Sequence, residues 1–73
     1  MMKRSHTKLI RENDYVAEVN VDLLKEDGPG APYLSLADVY KLETVRDALR
    51  RNDPDSIQSL ARVYKLTPLH AGA

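Results

Sequence analysis

The sequence predicts an α+β fold in which an N-terminal antiparallel β-hairpin, extended by a third C-terminal strand in one alternative, packs against two or three short helices. Three observations predict it. Residues 15–24 alternate between apolar and polar side chains, a segment rich in Gly and Pro follows, and the rest of the chain carries apolar residues at helical spacing. The chain of 73 residues has room for one hydrophobic core. We therefore assign a single domain to residues 7–68, a disordered tail to 1–6 and a frayed tail to 69–73.

The hairpin is predicted mainly from its second strand. Apolar residues lie two positions apart and share one face, while Glu18, Asn20 and Asp22 lie on the other. Residues 7–11 form a shorter candidate strand before it, and Glu12-Asn13-Asp14 supplies residues that tolerate a tight reversal. The apolar face consists of Tyr15, Ala17, Val19, Val21 and Leu23.

A loop and an amphipathic helix come next. Residues 25–32 contain two Gly and two Pro and predict an irregular connection. Ser35 is a good N-cap with Asp38 three positions later, and Arg50-Arg51-Asn52 provides a basic last turn and a left-handed cap. The segment is one helix, or two short helices with a bend near residues 42–43. Its apolar stripe consists of Leu36, Val39, Tyr40, Leu42, Val45 and Leu49.

A further helix is predicted to begin at Asp53-Pro54-Asp55, which supplies an N-cap, a Pro at the first helical position and an acidic first turn. Residues 64–67 either complete this helix or form a short strand beside the hairpin that ends at Pro68, and we favour the strand. The apolar positions at helical spacing are Ile57, Leu60, Ala61 and Tyr64.

The composition excludes several classes of protein. The chain has no Cys, which removes disulfides and thiolate metal sites and favours a reducing compartment. Its 11 Lys and Arg balance 11 Asp and Glu, which argues against an autonomous nucleic-acid binder. No apolar run approaches the roughly 20 residues of a transmembrane helix. We therefore expect a cytoplasmic protein that does not bind a membrane.

The sequence contains no recognisable catalytic or metal-binding arrangement. His6 and His70 lie near opposite ends of the chain, where a general base is hard to hold in place. The Ser and Thr residues have no evident orienting base, and the start of the second helix accounts for Asp53 and Asp55. We expect no enzymatic activity, no cofactor and no metal site.

A small set of residues could bind a partner. Tyr is enriched in protein interfaces, and one Tyr lies beside the Gly-Pro loop. Arg46 and Arg50 share a helical face and could meet phosphates or an acidic partner together, although Glu43 and Asp47 interleave with them as on an ordinary solvated face. The candidate partner-binding residues are Tyr33, Arg46, Arg50, Arg51 and Arg62.

Three segments carry a resemblance to known proteins: Tyr15-Val16-Ala17-Glu18-Val19, the run Pro32 to Leu42 with the letters YLSL, and Val45 to Arg51. Over residues 7–68 the chain resembles a family of small bacterial proteins classed as a domain of unknown function. It is also similar to antitoxins of the HicB type, in which a hairpin precedes a helix. The resemblance implies a compact cytoplasmic protein, with a toxin-like partner encoded beside it as one expectation, and brings no catalytic residues with it.

Taken together, these features favour a small protein-protein interaction module, with an antitoxin-like homodimer as one form of it. Such a module would add a strand at the hairpin edge or dock through the helix face over residues 39–51. The alternative is a dimeric nucleic-acid-binding or regulatory protein that uses the doubled Arg patch. An enzyme subunit is a third hypothesis, against which the lack of a nucleophile and base argues.

Overall fold

A computed structural model describes residues 2–69 and places one antiparallel four-stranded sheet against one α-helix. The predicted α+β class is therefore confirmed. The chain is elongated, with principal extents of 53 × 26 × 15 Å, because two long strands project past the helix. The elements in chain order are β1 (Met2–Glu12), β2 (Tyr15–Lys25), β3 (Tyr33–Leu34), α1 (Leu36–Arg50), a 3-10 helix (Pro54–Ile57) and β4 (Arg62–Lys65).

The hairpin of β1 and β2 is the largest element of the fold. All eleven residues of β1 pair with β2, from Glu12 opposite Tyr15 at the turn to Met2 opposite Lys25 at the far end. Asn13 makes the reversal with a φ of 54°, a left-handed conformation that Asn tolerates better than most residues. The first strand was expected only over residues 7–11. Residues 2–6, expected as a disordered tail, instead continue the ladder.

The second edge of β2 is shared by two short strands. β4 pairs near the turn, from Tyr15 opposite Lys65 to Glu18 opposite Arg62, which confirms the predicted third strand with slightly earlier bounds. β3 pairs near the far end, where Leu23 and Leu24 lie opposite Leu34 and Tyr33. The sequence did not predict β3, because two residues beside a Gly-Pro loop carry no periodicity.

Side chains of α1 fill the gap between these short strands. The Asp22 amide donates to the Asp38 carboxylate at 2.8 Å, and the Lys41 ammonium donates to the Asn20 carbonyl at 2.7 Å. The helix thus satisfies backbone groups of β2 that no strand reaches.

The ends of α1 follow the predicted capping pattern. The Ser35 hydroxyl accepts from the Asp38 amide at 3.2 Å. At the other end, Asn52 adopts a φ of 57°, and its amide donates to the Leu49 carbonyl at 3.1 Å. The Asp53 amide donates to the Ala48 carbonyl at 2.9 Å, which completes a Schellman motif. The helix is continuous from Leu36 to Arg50, so the alternative with a bend is wrong.

The prediction of two or three helices is wrong for the described residues, which contain one α-helix and a four-residue 3-10 turn. Pro54 begins that turn as expected, but the chain leaves it after Ile57, and residues from Arg62 onward pair with β2. A short helix is costly to nucleate. The extended conformation of residues 62–65 is favoured instead, because it forms ladder hydrogen bonds with β2.

The core lies between one face of the hairpin and the C-terminal half of α1. Half-buried Leu34, Leu42, Leu60 and Val63 pack around it. The predicted stripe on α1 holds only in part, because Leu36 and Tyr40 are 66% and 63% exposed. Tyr64, also expected inside, lies exposed on β4. The fully buried residues are Ile10, Ala17, Val19, Val21, Val45, Ala48, Leu49 and Ile57.

Candidate partner-binding edge

The outer edge of β1 is the longest unpaired strand edge in the described chain. Its orientation follows from β2. The Asn20 carbonyl and the Asp22 amide bond to side chains of α1 and so point away from β1. The backbone groups of the even-numbered β2 residues therefore point away from β1, and those of the odd-numbered residues point toward it. The hairpin register pairs odd-numbered residues of β2 with even-numbered residues of β1. The groups that point outward from β1 therefore belong to Lys3, Ser5, Thr7, Leu9 and Arg11.

No other element covers this edge within residues 2–69. Pairing of β1 is to β2 alone, and every β1 residue from Met2 to Leu9 is exposed. Only Ile10 is buried, where the hairpin passes beneath α1. An unpaired strand of this length presents a row of hydrogen-bond donors and acceptors that another extended chain can use.

The β1 strand also carries positive charge that has no ion-pair partner in the described chain. Lys3 forms an ion pair with Asp22 at 3.4 Å. Arg4, Lys8 and Arg11 form no ion pair with any residue that the structure describes. Arg4 and Lys8 lie opposite Leu23 and Val19, on the sheet face that carries α1.

The arginines predicted from the helix are engaged within the protein. Glu12 accepts from Arg50 at 3.3 Å and lies 3.8 Å from Arg46. Arg46 also meets Glu43 at 3.3 Å, and Arg50 lies 3.8 Å from Asp47. These pairs neutralise the positive charge of this helix face.

Arg51 and Arg62 do not extend the predicted patch. The Arg51 guanidinium donates to the Asp47 carbonyl at 3.3 Å and so turns back on its own helix. Arg62 pairs across the strands with Glu18, on the sheet face that points away from α1. A side-chain hydrogen bond that Arg62 donates to Tyr64, followed by electrostatic attraction to Tyr64 and Glu18, raises the pKa of Arg62. The structure therefore does not bring the four arginines together.

Tyr33 occupies the far end of the sheet. Its backbone pairs with Leu24, and its hydroxyl lies 3.4 Å from the Glu26 carboxylate in the Gly-Pro loop. The ring is 44% exposed, which leaves it accessible, but it lies on the edge of β2 opposite to β1.

The described surface has several clefts. One cleft, of about 550 Å³, opens over the gap between β4 and α1. Its lining includes Glu18, Lys41 and Arg62, of which Lys41 is bound to the Asn20 carbonyl. Within residues 2–69, no three His, Asp or Glu side chains gather as a metal site would require. His6 lies on β1, whereas His70 lies outside the described residues.

Within residues 2–69, α1 is the only α-helix, and neither its length nor its composition would let it cross a bilayer.

Sequence reasoning missed the β1 cations because residues 1–6 were assigned to a tail. The signal that could have found them is the hairpin itself: a strand that starts at Tyr15 and runs for eleven residues can pair with eleven residues before the turn.

Comparison of the chain with protein-family models, with curated proteins and with solved structures finds no match. The resemblance to HicB-type antitoxins and to the small bacterial family therefore stays a prediction.

Proposed function

We propose that this protein is a non-catalytic protein-protein interaction module that accepts an extended segment of a partner along the outer edge of β1. The observation that carries the proposal is the outward row of backbone groups from Lys3 to Arg11, which has no partner in residues 2–69. In strand addition, main-chain hydrogen bonds supply affinity, and alternate side chains supply specificity. An antitoxin-like role, in which the partner is a toxin-like protein, is one form of this function.

The rest of the fold supports this use of the hairpin. α1 contacts β1 near the turn, at Ile10 and Glu12, so the rest of the strand is held by the ladder to β2 while its outer edge stays accessible. The opposite edge of β2 is already occupied by β3, β4 and two side chains of α1. An incoming strand that seeks a long edge therefore has β1 available.

Nucleic-acid binding through a doubled Arg patch has less support. Arg46 and Arg50 are paired with carboxylates, and Arg62 lies on the other face of the sheet. Phosphate binding there would have to compete with internal ion pairs.

Ser5→Pro tests the proposal because Ser5 directs its amide outward. Proline removes that amide and leaves the β1–β2 ladder intact, which edge strands tolerate. We expect the variant to keep the circular dichroism spectrum and melting temperature of the wild type. The wild type is first used to capture a protein from native cell extract, and that protein is identified by mass spectrometry and purified. We expect the Ser5→Pro variant to bind the purified protein at least tenfold more weakly than the wild type does.

His6→Pro is the matched control. Its amide points toward Val21, so proline there should break the ladder and lower the melting temperature, unlike the neighbouring change at Ser5. If the Ser5→Pro variant binds the captured protein as tightly as the wild type does, the edge is not the binding surface. If the wild type captures no protein at all, the interaction proposal is wrong.

A further inference from the structure

We infer that the segment accepted by β1 is acidic, with carboxylates that face Arg4, Lys8 and Arg11, and that it comes from a different protein and not from a second copy of this chain. The inference rests on the proposed function and adds the chemistry of the partner.

The β1 strand is strongly basic. The strand contains Lys3, Arg4, Lys8 and Arg11 against a single carboxylate, Glu12. Glu12 is already engaged by two arginines of α1, and Lys3 is engaged by Asp22. Residues directly opposite each other on adjacent strands lie about 5 Å apart at their Cβ atoms, within reach of an ion pair. An incoming strand would therefore meet three cations that have no partner in residues 2–69.

The two faces of the sheet give the partner segment a pattern. Arg4 and Lys8 lie on the face that carries α1, but beyond the part that α1 covers. Arg11 lies on the other face with Leu9, which is 68% exposed. The matching segment has acidic residues opposite the three cations and an apolar residue opposite Leu9, so that each face of the added strand meets its complement.

A second copy of β1 does not provide this pattern. In the antiparallel register that pairs Met2 with Glu12, Lys3 of each copy faces Arg11 of the other. If the second copy slides along β1 in one direction from this register, Arg4 of each copy lies opposite Lys8 of the other. If it slides in the other direction, the two Lys8 residues lie opposite each other. Arg4 then meets only Glu12, which Arg46 and Arg50 already engage. Like charges directly opposite each other destabilise a strand pair, so these registers disfavour self-association through β1.

The test uses a synthetic extended peptide of Thr and Val with three glutamates spaced to face Arg4, Lys8 and Arg11, titrated into the full-length isotope-labelled protein and followed by nuclear magnetic resonance. A second peptide carries lysines at the same three positions. We expect the glutamate peptide to shift the amide signals of β1 and to bind at least tenfold more tightly than the lysine peptide. High salt should weaken the binding of the glutamate peptide.

Two charge-reversal variants locate the effect. Lys8→Glu should weaken binding of the glutamate peptide about tenfold and improve binding of the lysine peptide, since an opposite-charge pair becomes a like-charge pair. Lys65→Glu changes the net charge equally on the exposed strand β4 and should leave both affinities unchanged. Equal losses in the two variants would mean diffuse attraction and would overturn the inference.

The remaining outcomes are also decisive. If both peptides bind alike, or neither binds, the partner is not selected by these cations, although the response of the captured protein to Ser5→Pro could still uphold strand addition. If duplex DNA shifts the same amides and displaces the glutamate peptide, the cations serve a nucleic acid. If the wild type sediments as a dimer whose contact is abolished by Ser5→Pro, the occupant is a second copy.

Discussion

Replacing Leu49 by Ala is expected to lower the free energy of unfolding by about 2–5 kcal/mol, the range for a large-to-small change in a core. Leu49 is completely buried and belongs to the cluster that joins α1 to Val19 and Ile10. A domain of this size gains only about 3–5 kcal/mol from such a core, so the variant should be largely unfolded at 37 °C. Urea denaturation followed by circular dichroism measures the change.

Leu36→Ala is the matched control for this prediction. It removes the same atoms from the same helix, but Leu36 is 66% exposed, and we expect a change within about 0.5 kcal/mol. Equal losses in the two variants would contradict the position of the core, because they would mean that the N-terminal half of α1 is buried as well.

Replacing Asn13 by Ala is expected to lower the free energy of unfolding by about 2 kcal/mol, from left-handed strain and lost hydrogen bonds together. The Asn13 side-chain amide donates to the Leu49 carbonyl at 2.7 Å and to the Arg50 carbonyl at 3.3 Å. It thus ties the hairpin turn to the last turn of α1, where carbonyls lack helical partners. Thermal or urea unfolding measures the loss.

Asn13→Gly separates the two contributions. Glycine adopts the φ of 54° without strain, so we expect only about 1 kcal/mol to be lost, from the missing amide. A glycine variant as unstable as the alanine variant would show that backbone conformation contributes little. A glycine variant as stable as the wild type would show that the link between the turn and the helix is unimportant.

Elements with a local chemical signal were predictable from the sequence. The alternation from Tyr15 onward, the turn at Asn13, the Ser35 cap and the left-handed Asn52 each depend on residues within a few positions, and each has its predicted place. Their backbone preferences act before any tertiary contact forms.

The errors arose where distant pairing decides the conformation. Met2 to His6 contain no apolar alternation of their own and are extended because β2 offers a ladder opposite them. Likewise, β2 takes up Arg62 to Lys65 as a strand, although Ile57, Leu60 and Tyr64 have helical spacing. Tertiary contacts override weak local propensity in both segments.

The candidate site could be predicted only in kind. The sequence led to the hypothesis of strand addition at a hairpin edge, but it did not identify which edge is open or which charges lie along it. Glu12 illustrates the reason: it lies next to the turn in sequence and neutralises Arg46 and Arg50, which come more than thirty residues later. Arg4, Lys8 and Arg11 of β1 form no ion pair in the described chain, and only the register of the strands shows which sheet face each of them occupies.

Amide hydrogen exchange along β1 of the isolated protein tests the central claim most directly. We expect rapid exchange at Ser5, Thr7 and Leu9, whose amides point outward, and slow exchange at the intervening His6 and Lys8, whose amides bond to β2. Binding of the partner should slow amide exchange at Ser5, Thr7 and Leu9. Slow exchange at both sets in the isolated protein would mean that the edge is already covered, and rapid exchange at both would mean that β1 is not a strand.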